Sequence, residues 1–142
     1  MAADMTAQPL YTTTILRLAA SLAESRALER EDGRAEVRSP TCGSRIATSV
    51  QLEDGRVAAL SQQVHACAFG QASAALVEQQ AVGRSREEIE AASAQMNAWL
   101  CGDASDPGWG FAALAPARTR TARHGAILLP LRALLAAIED AA

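Results

Sequence analysis

The sequence predicts an α+β fold: an N-terminal helix, a three-stranded antiparallel meander, then helices packed on one face of the sheet. Three observations carry this. Apolar residues early in the chain recur at helical spacing. The middle alternates with a period of two around an Asp-Gly pair. The second half returns to helical spacing behind a clear start signal. Strands in series followed by helices place helices against one sheet face.

The elements follow in order. Residues 1–10 read as a flexible leader and 11–142 as a single domain. Ile15, Leu16, Leu18, Ala19, Leu22 and Ala23 predict a helix over about 12–25. A charged loop, Glu29 to Gly33, leads to a short strand, Ala35 to Arg38, stopped by Pro40. Ser39 to Ser44 is a tight loop. Ile46, Thr48, Val50 and Leu52 then alternate with Ala47, Ser49 and Gln51, the pattern of a half-buried strand. Asp54-Gly55 is a hairpin turn signal, because Gly takes positive φ without a Cβ clash. Val57 to Val64 is the return strand.

Cys67 stands where that strand ends. Ala68 to Val82 reads as an Ala-rich helix stopped by Gly83. Ser85 and Glu88 form a capping-box pattern. The helix they open carries Ile89, Ala92, Met96, Trp99 and Leu100 on one stripe and ends at Gly102. Asp103 to Gly110 is a polar loop. In the last helix Ile127, Leu131, Leu134 and Ile138 share a face. Pro130 is expected in its first turn, which puts the helix start near Leu128 or Leu129.

Composition narrows the function classes. The 142-residue chain has a net charge of −3, and all 13 basic residues are Arg. That balance excludes a general nucleic-acid binder with its basic stripe, while Arg suits fixed anion contacts. The first nine residues lack the features of an export signal. No stretch approaches the roughly 20 apolar residues of a membrane span. The expected location is the cytoplasm, where thiols stay reduced and serve as ligands, nucleophiles or core fillers.

There are three cysteines. Cys42 sits on the loop between two strands, with Gly43 beside it. Cys67 sits at a predicted helix N-terminus, where unpaired N–H groups and the helix dipole favour the thiolate, the form that binds metal or attacks sulfur. Spacing alone leaves the matter open, since two cysteines 25 apart also fit small buried hydrophobes.

The flanking residues add to this. Ser39-Pro40-Thr41-Cys42-Gly43-Ser44-Arg45-Ile46 resembles the N-P-x-C-G-D-x-I/V run of the NifU/IscU/SufU family. Ala66-Cys67-Ala68-Phe69-Gly70-Gln71-Ala72-Ser73-Ala74 resembles that family's G-C-x-x-x-Q-A-S-A/S run. The resemblance extends from about Tyr11 to Ile138 and is closest to the SUF-type members. It implies an iron–sulfur cluster assembly scaffold or sulfur acceptor, more a carrier than a conventional enzyme. Such a protein takes sulfur from a cysteine desulfurase, binds iron or a 2Fe-2S cluster through Cys42 and Cys67, and serves apo iron–sulfur proteins or other SUF components. Zinc is the alternative metal.

Two departures follow from the same alignment. The family's Asp is Ser44 here. Its third Cys, at the start of the last helix, is Ala126, with register fixed by Arg123 and by Arg132-Ala133-Leu134. His124, expected in the loop before that helix, is the candidate substitute ligand. His65 and Cys101 are further candidates, and Cys67 is the candidate sulfur acceptor. Arg118, Arg120 and Arg123 crowd the same region, either to stabilise thiolates or an anionic partner surface or as ordinary solvated charge. Loss of the Asp and the third Cys also fits a regulator that kept the fold without a cluster.

Overall fold

A computed structural model describes residues 10–40 and 43–142. The elements are α1 (Thr13–Ser21), β1 (Gly33–Arg38), β2 (Arg45–Glu53), β3 (Arg56–His65), α2 (Ala68–Gln80), α3 (Arg86–Leu100), a 3₁₀ helix (Phe111–Ala117) and α4 (Thr121–Ala141). The expected α+β order is present. Residues 1–9 of the leader, and Thr41 and Cys42, lie outside the described residues.

The sheet has the order β1-β2-β3, antiparallel throughout. Asp54 and Gly55 both take positive φ, 53° and 74°, as a two-residue hairpin turn requires. One sheet face carries Ile46, Val50 and Val57, which are buried under the helices. α4 lies across β1 and β2, and α2 packs against both β3 and α4. Gly33 permits the closest approach: a Cβ there would overlap the carbonyl oxygen of Ala137 in α4. The core joins Ile15, Phe69, Met96, Phe111, Leu131 and Leu134.

On the inner face Thr48 stands opposite Gln62. Gln62 donates to the carbonyl of Ala74 in α2 (3.0 Å). The Thr48 hydroxyl and Gln62 Oε1 are buried without partners.

The expected half-burial of β2 needs correction. Ala47 and Ser49, on the outer face, are also buried. The segment 22–32 crosses that face, with Arg26 N–H donating to Ser61 Oγ (3.0 Å) and Ser49 Oγ donating to Glu31 (2.7 Å). The same crossing shortens α1. Ala23 N–H donates to Glu78 Oε2 (3.1 Å) rather than to a helical carbonyl, so the helix ends at Ser21, not near 25.

The capping box forms as predicted, with Ser85 and Glu88 satisfying each other's backbone N–H at 3.2 Å. The last helix departs from expectation. It begins at Thr121, so Pro130 falls in its middle rather than its first turn. Proline removes the N–H that would donate to Ala126 O, at a cost of about 3 kcal/mol. Burial on both sides of it, at Ala126, Ile127, Leu129, Leu131 and Leu134, outweighs that loss. The neighbouring carbonyl of Ile127 accepts the Ser73 hydroxyl from α2 (2.7 Å). By length and hydropathy α4 could cross a membrane, but half of its apolar window is buried against the rest of the fold.

Candidate thiol site

The site lies at one end of the sheet. Arg38, Arg45 and His65 are paired in register across the three strands there. Ser39 N–H donates to Ser44 O (2.8 Å) and Gly43 N–H to Ser39 O (3.2 Å), which ties these three residues together at this end. Gly43 takes φ 73°, with open space where a Cβ would point. Cys42 lies outside the described residues.

Cys67 follows His65 by two residues and is the N-cap of α2, with extended backbone (φ −67°, ψ 173°). Its carbonyl accepts Gln71 N–H (2.9 Å), the first bond of the helix. The Gln71 side chain reaches back to Ala66 O (3.1 Å) and fixes the turn into α2. The thiol is half-buried, makes no capping hydrogen bond and is in no disulfide. It therefore stands beside first-turn N–H groups that lack intrahelical partners.

Gly70, one turn on, brings α2 against α4. A Cβ at Gly70 would lie 3.4 Å from both Ala126 Cβ and Ala126 O. The position that the resemblance assigns to a third cysteine thus packs on the turn headed by Cys67. Ala126 is fully buried and supplies no donor atom. Ser44, at the family's Asp position, is also buried and hydrogen-bonded or otherwise engaged.

His124 lies inside α4, not in a flexible loop, so the expected swing toward the thiols is unavailable. Its Nε2 is 2.9 Å from Arg118 O and 3.2 Å from Ala117 O. Two carbonyl acceptors require a proton on Nε2, so that nitrogen is not free to bind a metal. Two residues apart on an α-helix means about 200° around its axis. His124 thus projects on the side of α4 away from Ala126 and Gly70. His65 is exposed on the outer sheet face, beside a shallow groove of about 390 Å³ lined also by Leu22, Ala23 and Gln63. Cys101 is exposed at the C-cap of α3, the carbonyl end of a helix. Among the described residues, no three His, Cys, Asp or Glu side chains gather where they could hold a metal ion. Cys67, His65, His124 and Cys101 are thus not brought together as a ligand set.

Of the three arginines near α4, Arg118 is structural. Its Nε and Nη2 donate to Trp99 O (3.0 and 2.9 Å), and its guanidinium lies 4.8 Å from the Trp99 ring centroid. The row Arg38–Arg45–His65 was not read from the sequence. It depends on an irregularity near Gln51/Leu52: Leu52 pairs with Val57, but Gln51 pairs with Ala59. Counting back from the Asp54-Gly55 turn without that extra residue sets Arg45 opposite Val64.

No family model matches the chain, and no curated protein matches it. Solved structures do. A nitrogen-fixing NifU-like protein (N-terminal) from Brucella abortus aligns with TM-score 0.84 and 28% identity over 92% of this chain and 93% of that one. A protein described as an iron–sulfur cluster assembly scaffold for the SUF system, from Fervidobacterium islandicum AW-1, aligns with TM-score 0.79 and 18% identity over 91% and 96%. A third, described only as hypothetical, aligns with TM-score 0.76 and 20% identity over 89% and 94%. The last two are likenesses of fold alone.

Proposed function

From a chain that is NifU/IscU/SufU-like in fold and in its cysteine-flanking runs, we propose a sulfur-accepting scaffold for iron–sulfur cluster assembly, with Cys67 as the acceptor. The observation that carries the reading is Cys67 at the head of α2, half-buried and free, within a fold shared with a NifU-like protein. The donor is a cysteine desulfurase carrying a persulfide. The Cys67 thiolate attacks the outer sulfur of that persulfide. A Cys67 Sγ–S bond forms, the donor's S–S bond breaks, and the donor cysteine leaves as its thiolate, which takes up the proton that Cys67 gave to solvent on ionising. No external oxidant or reductant is needed.

Cys42, by the resemblance, is the second thiol of the site. Iron or a 2Fe-2S cluster would be cargo assembled on these thiols and passed to apo iron–sulfur proteins or other SUF components. The described residues do not complete the family's four-ligand cage, because Ala126 offers no donor and His124 is tethered elsewhere. Sulfur acceptance needs only one accessible thiolate, so it fits this chain better than stable cluster storage.

The test is transfer of radiolabelled sulfur from cysteine by a SUF-type cysteine desulfurase. Label is expected on the chain, released by dithiothreitol, absent in Cys67→Ser and retained in Cys101→Ser. Full labelling of Cys67→Ser overturns the assignment. Ala126 and Ser44 favour a second reading, a cluster-free regulator of the same partner. That reading is identified by desulfurase binding with no label on the wild-type chain.

A further inference from the structure

Arg38, Arg45 and His65 stand side by side across the three strands, on the outer face of the sheet. Directly opposite residues have Cβ atoms about 4.5–5.5 Å apart, and like charges so placed destabilise a sheet. All three are exposed. Arg38 has one carboxylate near it, Glu36 at 3.7 Å, in a pair that is itself exposed. Among the described residues Arg45, like several other arginines, has no ion pair.

Four nearby acids lie at the other end of the sheet. Glu31 and Asp32 bond to Ser49 and Leu52, and Glu53 and Asp54 flank the hairpin turn, all toward the far end of the strands. From Arg45 to Glu53 is eight strand steps, roughly 26 Å at about 3.3 Å each. That exceeds the screening length of about 8 Å at physiological salt. A chain of net charge −3 therefore keeps a basic row at one end, with Glu36 beside Arg38 and Glu24 in the groove that His65 borders. The segment 22–32 covers the outer face at Ser49 and Ser61 and shares a groove with His65, yet Arg38, Arg45 and His65 stay exposed. Cys67 lies two residues beyond His65, roughly 7 Å of extended chain.

We propose that the row Arg38–Arg45–His65 is a docking surface for an acidic face of a partner protein, which seats the partner's reactive group at Cys67. Carboxylates laid across the strands at the inter-strand spacing of about 4.8 Å would meet the two guanidinium groups in turn. Contacts of this kind raise the rate of encounter and fix orientation. That the partner is the sulfur donor rests on the function proposed above; that it is acidic rests on the row alone.

Two measurements on the full chain separate these statements. Titration with a hexaglutamate peptide at low salt, followed by amide NMR, is expected to shift Arg38, Gly43, Arg45 and His65. The double variant R38E/R45E, and separately R45Q, should weaken this at least tenfold while the remaining spectrum stays native. In the sulfur-transfer assay, R38E/R45E should lower the rate at least tenfold at low salt and converge on wild type at 0.5 M salt (about a 4 Å screening length). Alkylation of Cys67 by iodoacetamide should not change. Peptide shifts that fall on Arg120 and Arg123 instead, or an R38E/R45E transfer rate equal to wild type at every salt, overturn the docking surface and leave the sulfur reading standing. Shifts on the row with no sulfur reaching wild-type Cys67 overturn the sulfur reading and leave an acidic-partner surface. Tighter binding of a single-stranded oligonucleotide than of the peptide overturns the protein partner.

Discussion

Replacing Cys67 by serine should make the protein more stable than replacing it by alanine, while both replacements end sulfur transfer. Cys67 already has N-cap backbone geometry, yet its side chain makes no capping bond. A serine hydroxyl there can accept from the N–H of Phe69 or Gly70, the second and third residues of α2. The Ser-over-Ala preference at an N-cap is about 1 kcal/mol. Both variants lose the half-buried sulfur, so that loss largely cancels between them. α2 contributes Phe69, Ala72, Leu76 and Val77 to the core, so a gain at its first turn is felt in global unfolding. For a domain of this size 1 kcal/mol corresponds to a midpoint shift of about 2–4 °C. Thermal melts of the two variants under reducing conditions, beside the labelling assay, provide the check. Equal melting points for C67S and C67A would refute the view that the thiol occupies an unused cap. A labelled C67S would refute its role as acceptor.

Three further predictions concern the frame that holds the site. Gly33→Ala forces a Cβ into the Ala137 carbonyl oxygen and to 2.9 Å from Ala141 N, backbone atoms that cannot rotate away. It should cost about 1–3 kcal/mol, seen as a lower urea midpoint; an unchanged midpoint would mean that β1 and α4 separate freely. Thr48→Val removes a buried hydroxyl that has no partner and should be neutral or stabilising by about 1 kcal/mol. A loss larger than that would show the hydroxyl bonded, with Gln62 Oε1 opposite as the available acceptor. The Arg30 hydrogen bond, then the Leu52 N–H, hold the Asp32 carboxyl below its ordinary range; the Arg56 hydrogen bond, then the Ser85 N–H, do the same for Glu88. A depressed carboxylate contributes stability above its unfolded pKa and loses it as pH falls through the folded one. Asp32→Asn and Glu88→Gln should each flatten the acid side of the stability profile below the ordinary carboxylate range, and an unaltered profile would show these pairs contribute nothing.

Local signals in the sequence fared well where they matched the tertiary demand. The Asp54-Gly55 turn, the Ser85–Glu88 box and the stripe from Ile89 to Leu100 are each set by residues within one or two turns. The boundaries that moved did so because distant groups intervened. α1 stops early because Glu78, 55 residues on, takes the N–H of Ala23. α4 starts early because burial on both sides of Pro130 outweighs the hydrogen bond that proline removes. The 3₁₀ helix over Phe111–Ala117 carries too few residues for a periodic pattern. In the site, the place of Cys67 was legible because an N-cap is a local event. His124 was misplaced because its loop was inferred from where Pro130 ought to sit. The basic row was invisible because one extra residue in β3 decides what faces Arg45.

The contact between Gly70 and Ala126 explains how the position that the resemblance assigns to a ligand can hold a small apolar residue within this fold. Gly70 and Ala126 meet with only a methyl group between two helices, and both positions are buried. The thiol of Cys67 lies one turn away, at the helix end, and owes its position to Gln71 and the backbone of Ala66 rather than to residue 126. Loss of a donor at 126 therefore leaves Cys67 in place and accessible. Chemistry that needs one thiolate survives such a change, and chemistry that needs four ligands does not. This selectivity is the physical reason for proposing sulfur acceptance, rather than cluster storage, at Cys67.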